Sequence, residues 1–228
     1  MTATCSLSRR LVAEALGTTL LLAAVVGSGI MGERLAAGNT AIALLANSIA
    51  TGAALFALIS VFAPVSGAHF NPVVTLVESL AGRISRLCAG CYIAAQFAGA
   101  TAGVFIAHLM FALPVIQSSQ HPRNGGAQWF SEFIATFGLL GVILSLRKST
   151  ATTVAASVAC YITAAYWFTA STSFANPAVT VARTLTDTFS GIRGGDAAMF
   201  VTAQLAGALL SGVVFHWLID KAPGVGKP

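Results

Sequence analysis

Charge is what this chain has least of. Asp, Glu, Lys and Arg make up 8% of its 228 residues, against about 25% in a soluble domain. That is too little polar side chain to cover a water-facing surface, and a soluble globule is excluded. Acids are the scarcest, seven against twelve Lys and Arg. The positive excess does not indicate nucleic acid as a partner, because the basic residues stand singly or in pairs at the ends of apolar runs instead of clustering with aromatics. Cysteine is sparse too: Cys5, Cys88, Cys91 and Cys160 are too few and too scattered for a disulfide framework. Cys88 and Cys91 form a C-x-x-C without the second pair or histidine that a zinc site needs, and they read as packing residues. No metal cluster, nucleophile triad or phosphate loop stands out, so no cofactor and no enzyme chemistry is expected.

What the chain does have is long uncharged stretches. Hydrophobic residues make up 56% of it. The segment 11–30 carries only Glu14, and 35–77 and 149–182 carry no charge at all. A bilayer core about 30 Å thick needs roughly 20 apolar residues per helix. On that measure six spans are expected, at about 10–31, 40–62, 86–110, 128–146, 151–170 and 197–218. The first is longer than a signal-peptide core and carries Glu14 near its start, so it reads as a retained helix. Two further apolar stretches, near 70–82 and 176–188, are half that length, and each begins with Asn-Pro, a cap followed by the residue suited to the first helical position. Helices that start well and stop after half a bilayer are re-entrant, which requires their flanking backbone to be buried in protein or to line a cavity.

Placing both termini in the cytoplasm puts eight basic residues on that side (Arg9, Arg10, Arg83, Arg86, Arg147, Lys148, Lys221 and Lys227). The other side then has four, Arg34, Arg123, Arg183 and Arg193. The chain also repeats itself: Glu14, Asn71 and Gln96 recur as Glu132, Asn176 and Gln204, at offsets of 118, 105 and 108 residues. One domain, 1–228, is therefore expected to contain two units, about 8–111 and 126–220. With three spans per unit the second copy must be inverted, and paired broken helices in inverted repeats put a permeation site at the midplane. Gly99, Gly103 and Gly27 supply small residues for close helix crossings.

The segments Ser66-Gly67-Ala68-His69-Phe70-Asn71-Pro72-Val73 and Ser173-Phe174-Ala175-Asn176-Pro177-Ala178, flanked by the Glu and Gln pairs, closely resemble those of the aquaporin and aquaglyceroporin family. The resemblance implies an all-α membrane protein of six helices and two half-helices around one pore per subunit. It also implies a homotetramer and passive passage of water or small uncharged solutes. Physics agrees: two half-helices meeting at their N-termini bring positive ends together and oppose cations. Asn71 and Asn176 can donate N–H groups to a passing oxygen. The backbone before each Asn, at Gly67, Ala68 and His69 and at Thr172, Ser173 and Phe174, is expected to be extended and to turn carbonyls toward the pore. By the family analogy, Glu14 and Glu132 hold these loops, with Gln96 and Gln204 bracing them; a proton relay through the two acids is the sharper alternative.

Two positions depart from the family pattern. Val73 replaces the usual Ala and is expected to add bulk beside the constriction. Val179 stands where the family usually has a filter Arg. Counting family spacings back from each Asn gives a filter of Thr51, Ala164, Ser173 and Val179, small and uncharged. Arg183, one helical turn on, either puts its guanidinium in the outer vestibule or lies on the surface against Asp187. Loss of the filter Arg together with Thr and Val resembles the bacterial aquaglyceroporins associated with arsenic detoxification. The implied setting is a bacterial plasma membrane, and the implied solute is the uncharged trihydroxide of arsenite or a polyol. A general glycerol, urea or water channel is the alternative, and an ion-coupled transporter is a rival of a different class.

Overall fold

The computed structural model describes residues 5–220, so Lys221 and Lys227 of the charge count lie outside the described residues. The described chain is all-helical: α1 (Leu7–Leu35), α2 (Thr40–Ser66), α3 (Pro72–Leu80), α4 (Arg86–Met110), α5 (Gly126–Leu146), α6 (Ala151–Phe168), α7 (Pro177–Ala182) and α8 (Gly194–Asp220), with a 3₁₀ turn at Arg183–Leu185. Six of these are long and apolar enough to cross a membrane. Side-chain caps fix several of the starts. Asn39 accepts from the N–H groups of Ala41 and Ile42, Ser85 from Cys88, and Thr150 from Thr153.

The second half-helix is shorter than expected. After six residues α7 tightens into the 3₁₀ turn, Thr184 bonds its hydroxyl back to the Val181 carbonyl, and Thr186 is already extended. The connection between α4 and α5 forms a strap over this turn: Ser119 N–H donates to the Thr184 carbonyl, Gln120 N–H to Asp187 Oδ1, and Arg193 N–H to the His121 carbonyl.

Within each half the packing is the same. The first helix lies against the second and fourth (α1 on α2 and α4; α5 on α6 and α8), α2 and α6 join the halves, and α3 and α7 both pack on α4 and α8. Hydrophobicity does not choose the inward face here. Val12, Leu16 and Leu20 of α1 are exposed while Glu14, Gly17 and Thr18 are buried, because in lipid close packing and polar satisfaction replace the hydrophobic drive.

The tight crossings use Gly99 and Gly103, where a Cβ would overlap the Ala15 and Thr19 carbonyl oxygens of α1, and Gly207, where it would overlap the Phe133 carbonyl of α5. Gly27 has no such role: a Cβ there would meet only the Phe111 ring at 3.4 Å and the Met110 side chain. Gly99→Val should therefore drive α1 and α4 apart at a cost of roughly 3 kcal/mol. The measurement is thermal unfolding of detergent-purified protein, and an unchanged midpoint would refute the crossing.

Candidate functional site

Each half-helix begins at an Asn with extended backbone and a Pro in the first turn. Asn71 Oδ1 accepts from Val73 N–H, and Asn176 Oδ1 from Ala178 and Val179 N–H. The amide nitrogens then cross between the halves. Asn71 Nδ2 donates to the Ala175 carbonyl and Asn176 Nδ2 to the Phe70 carbonyl, both at 2.8 Å. An amide nitrogen carries two protons, so one on each Asn is left for the cavity that both residues line. Val73 and Ala178, by contrast, are fully buried and lie behind the constriction. The expectation that Val73 adds bulk beside the pore is corrected: its position one residue into the helix turns it toward the core.

The loops before the two Asn residues match position for position. Gly67, Ala68 and Phe70 have φ of 90°, 50° and 48°, and Thr172, Ser173 and Ala175 have 61°, 50° and 48°. The backbone is thus not simply extended as expected; left-handed residues recur along it, a conformation that non-glycine residues hold only when their surroundings enforce it.

Here the enforcement comes from the two buried acids. Glu14 accepts from Ser66 Oγ (2.6 Å), His69 N–H (3.0 Å), Phe70 N–H (2.8 Å) and Gln96 Nε2 (2.9 Å). Glu132 accepts from Phe174 and Ala175 N–H (both 2.9 Å) and from Gln204 Nε2 (2.6 Å). Each Gln also donates to a half-helix threonine, Gln96 to Thr75 and Gln204 to Thr180. Seven helices, all but α6, and two loops are thereby tied together by two corresponding networks.

The cavity, of about 390 Å³, runs past both Asn residues, from a mouth at Glu78, Arg147 and Ser149 to one at Arg183. Its wall between is largely apolar, with Leu21, Leu55, Leu139 and Ile143 among the lining residues. Gly67, Ala68 and His69 line it on one side and Ser173 and Phe174 on the other. Thr172 is set back from the lining, and its hydroxyl accepts from Arg123 Nη1.

Of the four expected filter residues, Thr51, Ser173 and Val179 line the outer part of the cavity. Ala164 does not. It is exposed on α6, and the residues that face the cavity follow a four-residue stripe, Val154, Val158, Ile162 and Tyr166, which puts position 164 on the opposite side of the helix. Counting back from Asn176 misses the register by two residues, and Tyr166 takes the place. Its hydroxyl lies 3.2 Å from Thr51 Oγ1.

Arg183 is 2% exposed, which rules out the surface alternative. Asp187 instead accepts from Gln120 N–H and lies 3.7 Å from His121 Nε2. The Arg183 guanidinium lies over the Phe174 ring, 3.4 Å from its centroid, and Nε donates to the Ser190 carbonyl.

A second cation, Arg123 of the strap, lies 5.1 Å from the same ring and donates to the Gly191 (2.8 Å) and Ser171 (3.2 Å) carbonyls. Burial lowers its pKa from the ordinary guanidinium value. No local motif in the strap announced Arg123. The four-residue stripe on α6 was available to announce Tyr166.

Comparison with known proteins agrees with this construction. The chain is 56% identical over 216 residues to aquaglyceroporin AqpS of Rhizobium meliloti (strain 1021), covering 95% of this chain and 92% of that protein. It is 36% identical over 140 residues to aquaporin NIP1-4 of Oryza sativa subsp. japonica, where the match spans 60% of this chain and about half the length (49%) of that relative. The fold is that of the aquaglyceroporin from Plasmodium falciparum, with a TM-score of 0.73 at 22% identity, over 95% of this chain and 97% of that one. Residues 1–164 match the family described as Major intrinsic protein. The chain belongs to the major intrinsic protein family, as a multi-pass membrane channel for small solutes and not an enzyme.

Proposed function

We propose that this channel is an aquaglyceroporin that passes small uncharged hydroxylated solutes, such as glycerol or the trihydroxide of arsenite, alongside water. The observation that carries the reading is Val179. It lines the outer constriction together with Thr51 and Ser173, so the position that usually holds a filter cation is apolar and small. The relative from Rhizobium meliloti, named as an aquaglyceroporin, favours the same class. The midplane supports neutrality of the solute, since two helix N-termini converge there and an apolar wall offers no replacement for an ion's hydration shell.

The assembly is read as a homotetramer with both termini in the cytoplasm of a bacterial plasma membrane. The two Asn residues orient the solute, the two loops offer acceptors, Arg183 sits in the vestibule, and Glu14, Glu132, Gln96 and Gln204 act as scaffold.

Stopped-flow light scattering on proteoliposomes tests the function directly. Glycerol and arsenous acid should enter without saturation and without a proton or sodium gradient. Water flux with no detectable entry of either solute would overturn the solute class, and dependence on a gradient would overturn the channel.

A further inference from the structure

We infer that the groove between the last turns of α3, α5 and α8 is a binding site for an anionic phospholipid, with the phosphate headgroup against Arg147 and Arg83 and an acyl chain along the groove. The groove has a volume of about 850 Å³, larger than the pore cavity. Its walls are apolar, with Val77 and Leu80 from α3, Leu144 from α5, and Leu209, Val213 and Trp217 from α8. Leu80, Val213 and Trp217 are 67%, 69% and 58% exposed, so the groove opens on the outer surface of the bundle.

Charge selects the occupant. Arg83, Arg147 and His216 line the groove, and no acid lines it among the described residues. All three stand at the end of the bundle where α3, α5 and α8 stop, the level at which a phospholipid's charged headgroup meets its hydrocarbon and at which an indole such as that of Trp217 is favoured. Glu78 grips Arg83 at Nε and Nη2, at 2.5 and 2.6 Å, but it lines the pore cavity and not the groove. That pair fixes the Arg83 fork at the rim, and Arg147, at the C-terminal end of α5, supplies the second guanidinium. A second copy of this chain is a poorer occupant. Among the other described acids, Glu14 and Glu132 are buried, and Glu33, Asp187 and Asp196 lie at the opposite end of the bundle. Contact between equivalent grooves would set cation against cation. In the orientation proposed above this end faces the cytoplasm, on whose leaflet acidic lipids attract such basic pockets. Arg147 borders both the groove and the pore mouth, so a lipid held there lies beside the path of the solute.

Native mass spectrometry of the full chain in detergent micelles counts bound lipid directly, and because a micelle has no sides the result is independent of orientation. Phosphatidylglycerol should bind roughly tenfold more tightly than phosphatidylcholine with the same acyl chains, as expected for one charge-assisted contact. Arg147→Gln should erase most of that difference while leaving phosphatidylcholine binding as it is. Val213→Trp, which fills the groove without altering its charge, should lose the bound phosphatidylglycerol as well, and it decides the matter should Arg147→Gln fail to fold. Equal affinity of the parent for the two lipids, or phosphatidylglycerol binding undiminished in both variants, overturns the site. A Val213→Trp variant that changes the number of subunits and not the amount of lipid bound also overturns it, and assigns the groove to a contact between copies. The solute class of the pore stands or falls separately, on the flux measurements.

Discussion

Val179→Arg is expected to reduce glycerol and arsenous acid permeability by on the order of tenfold, equivalent to about 1.4 kcal/mol of added barrier, and to reduce water permeability much less. Val179 lines the cavity beside Thr51, Tyr166 and Ser173. A guanidinium at that place fills the gap left by a small side chain and offers fixed donors to whatever still fits. The loss is steric for a three-carbon polyol and partly offset by hydrogen bonding for water. A second cost comes from charge: Arg183 stands one turn farther along and Arg123 shares the Phe174 ring with it, so a third cation enters a site already holding two. Thr51→Phe should act in the same direction, and the double variant should fall short of additivity because both side chains close one gap. The measurement is the ratio of solute to water permeability in proteoliposomes at matched insertion. An unchanged ratio removes Val179 from the filter and withdraws the solute class that rests on it.

The largest effect on assembly is expected at Glu132. Its two oxygens receive the Phe174 and Ala175 N–H groups and Gln204 Nε2, so every one of these neighbours points a donor at it. Glutamine in its place turns one oxygen into a donor, and one of the pairs becomes N–H against N–H. Rotation of the Gln204 amide would bring its unpartnered Oε1 to accept, but would break the bond from Nε2 to Thr180. Leaving one of these buried donors unmatched costs roughly 1–3 kcal/mol, so Glu132→Gln should assemble less well and melt earlier in detergent. Whatever fraction inserts should conduct without a new pH dependence if the acid serves as the loop scaffold proposed above. A variant that melts like the parent and loses a pH-driven transport step would reverse this reading in favour of the proton relay.

How much could be read in advance follows from where polar residues are affordable. A carboxylate or carboxamide at membrane depth must be satisfied, so Glu14, Gln96, Asn71 and their counterparts announced themselves by type and spacing, and each is found where one network needs it. Tyr166 was missed, although its four-residue stripe was there to read, because distances counted from Asn176 assume a fixed loop. The loop from Thr169 to Ala175 includes left-handed residues at Thr172, Ser173 and Ala175, and α6 meets the cavity in a register that counting does not reveal. The second cation over the Phe174 ring was hidden for a different reason. Arg123 reaches it from a strap whose course is set by long-range bonds to Asp187, Thr184 and Asp196, and no stretch of sequence nearby encodes those partners.

The crossed amide bonds at the midplane also bear on how the protein is made. Asn71 Nδ2 and the Phe70 carbonyl find their partners in Ala175 and Asn176, which leave the ribosome only after three more membrane-crossing helices have been synthesised. Until then the newly inserted first half holds an unmatched donor and acceptor at a depth where lipid offers neither. Arrival of α7 is therefore the step that seals the nascent chain. A polypeptide stalled before residue 176 would present an open polar seam to the bilayer, so the midplane of the fold is closed only by the second half of the chain.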